Sequence, residues 1–490
     1  MSTSASSSQQ HNPRTSGILF FLIQYHGLIT GHGIPDCRNI TPLARRPYQE
    51  PSGRHDLGHM NITCAYCHAV HWHAECTSRT STSDQPSFSV CCNKGQVRLT
   101  PAPPIPSILS YLFTGTTAQA REFRENIRQY NCALAFTSLG VKLDNSVNMG
   151  GGAQPVIRIH GELCHRLGSF TPASDLPPMY AQLYIYDPQE ALHHRMHRNV
   201  ELRADTMESL QTLIASFHSY TSIYKQAYEI ASNHDIEDVT VRLRLRPSQD
   251  KRRYNLPTVD ELAAIIPGSD DSQTIASRDI MLRSRHGALQ HISDGHPAYA
   301  CLHYVLFHPH GEHGWHHDMV LHQPDRRQPS RLSQTDHYAY QLHLRIGQFS
   351  ALHHGRRLFQ QWLVDMWASA EQNRLNYLRF HQREIRASLY SGLEDALDSH
   401  DGDIDLNGLG QHIVLPSSFT GGPRYMQQCL QDALALARYF RKIDIFLTMT
   451  CNPQWSEITR ELLPGQSATD RPDLVARVFQ LKKKAILTDI

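Results

Sequence analysis

No stretch of this chain is apolar for the roughly 20 residues a helix needs to cross a bilayer. Its longest apolar run, Gly17–Ile23, is interrupted at once by Gln24, Tyr25 and His26, and no small-residue cleavage site clearly follows. The expectation is a soluble intracellular protein with no membrane partner. The phosphate-cradling pattern GxxxxGK[ST] is also missing, so no P-loop and no ATPase motif is present. The triple glycine Gly150–Gly152 has no clear strand-to-helix unit around it and predicts only a loop. An excess of one charge is lacking too: 47 Lys and Arg stand against 46 Asp and Glu, a net of +1. No global field draws such a chain to nucleic acid, and any DNA binding would need local basic patches. Finally, the 11 cysteines are odd in number and scattered, which argues for reduced thiols and a metal rather than a secreted disulfide framework.

What is present fits a folded protein. Hydrophobic residues make up 40% and charged residues 19% of 490, enough for two to four ordinary domains. Histidine is abundant at 32, often in pairs such as His193-His194 and His316-His317. As a bulk excess these predict mostly surface positions.

The expected fold class is α+β in several parts. Residues 1–60 form a segment without a trusted period, Ser-, Thr- and Gln-rich over its first 16 residues. A Cys- and His-dense module at 61–100 runs into the stiff prolines 101, 103, 104 and 106. A mixed α/β region covers 107–330, and a further α+β region covers 335–490. Within them, Ala118–Tyr130 is helix-compatible, 206–232 reads as one helix, and strands are expected at Val156–His160, Gln182–Tyr186 and Val239–Leu245. Tyr338, Tyr340, Leu342, Leu344 and Ile346 alternate as a half-buried strand would. A long helix follows over about 355–389, and another begins at Gly421-Gly422-Pro423, with Met426, Cys429, Leu430, Ala433, Leu434, Ala437 and Phe440 as its expected buried stripe. Ile443–Thr450 alternates as a strand, Asn452-Pro453 turns, and a last helix spans about 472–487.

Two features could carry chemistry. Cys64-x-x-Cys67 is followed after 23 residues by Cys91-Cys92-Asn-Lys-Gly95. A structural zinc ion takes four thiolate or imidazole ligands in a tetrahedron, and a CxxC turn supplies two with little strain. Chain neighbours do not easily face one ion, so the fourth ligand could be His71, His73 or Cys76 instead. The second feature, His71-Trp72-His73, would put two imidazoles on one side of a strand, but its place between the cysteine pairs favours a zinc context. His308-Pro309-His310 shares that spacing only by chance, since Pro suits a strand poorly.

From about Cys64 to Ile490 the chain resembles the N-terminal region of Helitron-type rolling-circle transposases. The phrases that carry this are Cys64–Cys67 with His71-Trp72, Cys91–Gly95, Phe136–Asp144, Arg158–Gly161 and Tyr180–Asp187, then Gly355–Gln361, Glu371–Asn376, Leu415–Met426, Phe446–Trp455 and Asp470–Phe479, in the family's order. The resemblance implies a replication-initiator-like (His-hydrophobe-His endonuclease) α+β domain in which Phe446–Trp455 is the first motif. A complete family domain then adds a His pair that holds Mg²⁺ or Mn²⁺, a Tyr nucleophile and a helicase. The 35 residues after Trp455 contain no His and no Tyr, so no residue is expected to be catalytic and the initiator domain is expected to be incomplete.

The resemblance therefore implies a nuclear fragment of a rolling-circle transposase without activity of its own. A zinc-dependent single-stranded DNA-binding module, acting with an intact transposase, and an incomplete gene model are the competing readings. Expected zinc ligands are Cys64, Cys67, Cys91, Cys92 and His71. Expected DNA contacts are Thr448, Thr450, Asn452, Arg424, Arg356 and Arg357, with Arg374 and the basic run Val241–Arg253 as further candidates. The strand at 443–450 is expected to lack a partner.

Overall fold

The computed structural model describes residues 53, 55–77, 86–140, 142–143, 159–160, 165–167, 172, 176–232, 239–244, 264–267, 279–283, 290–381, 415–441 and 447–489. They fall into two units. The larger comprises Ser52–Phe380 with Pro453–Leu481, and the smaller comprises Met1–Pro51, His381–Asn452 and Lys482–Ile490.

In chain order the larger unit begins with the hairpin strands β1 (Ile62–Thr63) and β2 (Val70–His71). Three short helices follow: α1 (Ser107–Thr114), α2 (Ala118–Glu125) and α3 (Ile127–Leu134). Thr117 caps α2 by accepting from the Ala120 N–H, and Asn126 separates α2 from α3. Next come β3 (Ser138–Leu139), β4 (Lys142–Leu143), β5 (Ile159–His160) and β6 (His165–Leu167). The helices α4 (Pro188–Arg198), α5 (Ala204–Phe217) and α6 (Ser219–Ser232) precede β7 (Val239–Arg244), β8 (Ala264–Pro267), β9 (Asp279–Arg283) and β10 (Gln290–Ile292). Then follow α7 (Tyr299–His303), α8 (Gln334–Gln341), α9 (Ala351–His354) and the long α10 (Arg356–Phe380). Beyond these lie α11 (Pro423–Phe440) in the smaller unit, α12 (Ser456–Thr459) and α13 (Pro472–Asp489). The strands form small antiparallel sheets in the orders β1-β2, β10-β6-β3, β4-β5 and β8-β7-β9. Among the described residues, no helix is long and apolar enough to cross a membrane.

The core of the larger unit gathers around Ala298–Phe307, a run with almost no exposed surface. Onto it the flanking helices present Leu109, Phe123, Tyr130, Leu210, Ile214 and Tyr224. Helix α10 closes it with Leu358, Phe359, Trp362 and Met366, the four-residue recurrence expected of this segment. The pattern is α+β and dominated by helix.

Several local expectations are corrected. Residues Tyr180–Tyr184 form a 3₁₀ turn, not a strand: the Gln182 side chain accepts from the Met179 N–H, and Tyr184 donates from its hydroxyl to the Leu134 carbonyl. The helix expected over 206–232 breaks at His218, whose ring bonds the Cys301 carbonyl. Of the alternating run from Tyr338, Tyr338 and Tyr340 lie in the second half of α8, and beyond the helix only Arg345 makes an isolated bridge, to Ala69. Ser333 caps that helix by accepting from the Asp336 N–H, and Gln334, His337 and Tyr338 are buried at helical spacing. Most of the described histidines are exposed or half-buried, as expected, but nine of them, His71, His165, His218, His296, His303, His308, His337, His343 and His353, are buried. The stripe expected to be buried on α11 is exposed among the described residues, with Met426, Leu430, Leu434 and Phe440 between 41% and 64% accessible. Periodicity identifies an apolar face but not what covers it. Residues 443–446 lie outside the described residues, and 447–450 join none of the four sheets.

Candidate metal centre

The two cysteine pairs arrive on two backbone reversals. Cys64 leaves β1 with its N–H on the Ala69 carbonyl at 2.9 Å, while His68 donates back to the Cys64 carbonyl at 2.9 Å and adopts a left-handed φ of 60°. Cys67 sits inside that turn. On the second reversal Asn93, Lys94 and Gly95 are all left-handed, at φ 46°, 55° and 85°, and the N–H groups of Gly95 and Val97 both return to the Cys92 carbonyl. This tight coil turns neighbours Cys91 and Cys92 toward one point. A Cβ on Gly95 would meet Tyr66 Cδ1 at 2.8 Å, so only glycine fits there.

The Sγ atoms of Cys64, Cys67, Cys91 and Cys92 all lie within 4.8 Å of one another, and all four residues are buried. The Cys64–Cys92 and Cys91–Cys92 sulfur separations are 3.8 Å. A Zn–S bond of ~2.3 Å gives a tetrahedral S···S edge of ~3.8 Å, so the spacing fits a four-thiolate ion. It is far from the ~2.05 Å of a disulfide, and all four cysteines are free. Hydrogen bonds from Cys91 and Cys92 hold the Cys67 thiol far below its ordinary range, while the bond to Cys67 pushes Cys92 up to about 12. Close thiols cannot all ionise without a cation, and a divalent metal supplies that charge. The Gly95 N–H adds a donor to Cys92 Sγ at 3.2 Å.

His71, expected among the ligands, is not in this cluster. Its Nδ1 faces Glu75 at 2.9 Å and its ring stacks on Phe88 at 3.9 Å. His73 and Cys76, which the spacing also allowed as a fourth ligand, lie outside the cluster too, since the left-handed coil brings in Cys92.

The cysteine loop is fastened to residues distant in sequence. Val70 donates to the Leu344 carbonyl at 2.9 Å, and Ala69 pairs with Arg345 in an isolated antiparallel bridge. Arg345 donates to the Cys67 carbonyl at 3.1 Å and lies over the Tyr340 ring at 3.6 Å. Arg477 forks onto both Glu75 oxygens at 2.9 and 2.7 Å, donates to the Val70 carbonyl and sits over Trp72. Burial alone would raise the Glu75 carboxyl, but Arg477 and His71 hold it well below the usual carboxylate range. The Leu57 and Met60 N–H groups reach Glu457 and Glu461.

A second buried polar cluster had no motif to announce it. Asp365, on the buried face of α10, accepts from His165 Nε2 at 2.7 Å, the Tyr304 hydroxyl at 2.6 Å and the Tyr299 hydroxyl at 2.9 Å. Burial raises the carboxyl, and His165 with these hydrogen bonds more than offsets it. The cluster joins β6, α7 and α10 and is wholly enclosed, so it anchors rather than reacts. The one available signal was an acidic residue inside the apolar stripe 358, 362, 366 and 370.

The expected DNA contacts are divided between the two units. In the larger unit, Arg356 donates to the Gly465 carbonyl at 2.8 Å, Arg357 is exposed, and Arg374 pairs with Glu371. In the smaller unit, Arg424, Thr448, Thr450 and Asn452 are exposed. Of the basic run Val241–Arg253, only 241–244 lie within the described residues, in β7.

Residues 337–490 match the family described as the Helitron helicase-like domain at N-terminus. This region is similar to the Helitron helicase-like domain. No curated protein matches the chain. The matched region starts within α8 and contains Leu344, Arg345 and Arg477, which grip the cysteine loop, and Glu457 and Glu461, which hold Leu57 and Met60. The loop itself lies upstream of the matched region.

Proposed function

We propose that the protein is a rolling-circle transposition component that binds single-stranded DNA on a Helitron helicase-like scaffold held together by a structural zinc ion. The observation that supports this best is the grip of the helicase-like region on the cysteine loop through Leu344, Arg345 and Arg477. Zinc suits four buried thiols with a tetrahedral edge and no open position, so its role is to fix the loop rather than to activate water. Asp-, Tyr- or metal-dependent strand cleavage is assigned to none of these residues. Action in the nucleus, in concert with an intact Helitron transposase, follows from the same reading.

Purified full chain should contain one zinc per polypeptide and retard a single-stranded oligonucleotide at low salt. Stripping the metal should loosen the loop and weaken DNA binding together. Metal-free protein of undiminished stability, or no retardation at low salt, would sink the proposal.

A further inference from the structure

The consecutive helices α2 and α3 and the distant α10 bring arginines close together. Arg121 and Arg124 are three residues apart on α2 and so share a face. Arg124 donates to the carbonyls of Leu112, Phe113 and Gly115, which places it at the C-terminal end of α1. Phe113 there lies 6.3 Å from His354, two residues before Arg356 opens α10. Arg128, on α3, donates to Gln361 at 2.8 Å, and Gln361 is one turn along α10 from Arg357 on the same face. The five guanidinium groups thus come from α2, α3 and the first turn of α10, and none of them forms an ion pair among the described residues. Glu125 is nearby but exposed, and pairs with none of them. Burial, then the neighbouring Arg356 and Arg121, draws Arg124 below its ordinary value, as expected where cations crowd.

Beside this patch lies an aromatic shelf. Phe349 is 41% exposed, stacks on His354 at 4.6 Å with an interplanar angle of 16°, and lies 6.2 Å from Phe113. All five cations are arginines, whose planar fork suits phosphate oxygens, and Arg124, Arg128 and Arg356 are already held in place by hydrogen bonds. A cationic track beside an exposed ring is the arrangement that follows a flexible phosphodiester while a base stacks. A duplex keeps its bases stacked inside and gains nothing from Phe349.

We infer that Arg121, Arg124, Arg128, Arg356 and Arg357, with Phe349, form a composite single-stranded DNA track that joins residues upstream of the helicase-like region to its first long helix. This rests on the single-stranded DNA reading above and locates its surface.

The test is fluorescence anisotropy of the zinc-loaded full chain with an oligothymidylate of ~30 nucleotides, the matching oligouridylate and a duplex of equal length, over a salt series. The exposed pair Arg121→Gln/Arg357→Gln should lower the slope of log affinity against log salt by about 1.4, two contacts at ~0.7 each. Phe349→Ala should weaken oligothymidylate binding at least about fivefold and leave duplex binding unchanged. Arg327→Gln/Arg331→Gln, exposed arginines elsewhere, should change neither, with far-UV circular dichroism confirming that each variant folds. Wild-type binding that the patch variants leave intact would overturn this surface and spare the broader proposal. No binding by wild type would overturn both. Preference for duplex or for oligouridylate would overturn the assignment to single-stranded DNA.

Discussion

Acid should unfold this protein well above the pH at which ordinary domains yield, because its core is built with neutral histidine. Burial pushes His218, His303 and His337 down to about 3, and His308 and His353 to about 4, against 6.5 in an unfolded chain. Above about pH 7.5 both states are almost wholly uncharged at these sites and the cost is close to nil. As pH falls below 6.5 the unfolded chain takes up protons that the folded one refuses, and stability declines continuously toward pH 4 and below. Between pH 7.5 and 5.5 each such histidine removes about 1.4 kcal/mol, so five remove about 7 kcal/mol, comparable to the whole stability of a typical domain. Urea unfolding followed by tryptophan fluorescence should show the midpoint collapsing over that interval. His337 isolates the effect from metal loss, because it is not among the clustered cysteine ligands, and neither of its ring nitrogens has a hydrogen-bond partner to lose. His337→Leu should reduce the pH dependence by about 1.2 kcal/mol between pH 6 and 5. A midpoint unchanged from pH 7.5 to 5.5, or a His337→Leu protein with the wild-type pH slope, would refute the reasoning.

Other consequences are equally direct. Asp365→Asn leaves His165, Tyr299 and Tyr304 facing an amide inside the core and should cost about 3–5 kcal/mol in urea titration, whereas a shift under about 1 kcal/mol would mean the cluster is not the anchor described. Gly95→Ala places a methyl against Tyr66 at a left-handed residue; a loss of about 1–3 kcal/mol and faster release of zinc to a chromogenic chelator are expected. Arg477→Met strands the Glu75 carboxylate in a buried site and should detach the cysteine loop, read as new protease cleavage near residues 72–77 under conditions where wild type is resistant. Cys92→Ser should bring bound zinc below one per chain, while His71→Gln should leave it at one, since His71 is not among the clustered ligands.

The cysteine centre was legible in the sequence as a zinc-type spacing, and the helicase-like region as ordered phrases, because both depend on residue identity over short spans. Helices α10, α11 and α13 were legible too, since a 3.6-residue period is a local property. The same locality misled at Tyr338–Gln341, which follow the cap at Ser333 into a helix, and at Gln182–Tyr184, which belong to a 3₁₀ turn. Whether Cys91 and Cys92 could share one ion depended on three consecutive left-handed residues, which composition does not reveal. Tertiary structure alone decided that nine of the described histidines are buried, that Asp365 gathers three donors, and that Arg128 meets Gln361. These relations join residues up to about 240 positions apart, set by how helices pack rather than by the pattern of any one of them. The sequence by itself determined the chemistry available to this protein; packing decided which of those groups face one another, because burial and charge act through space and not along the chain.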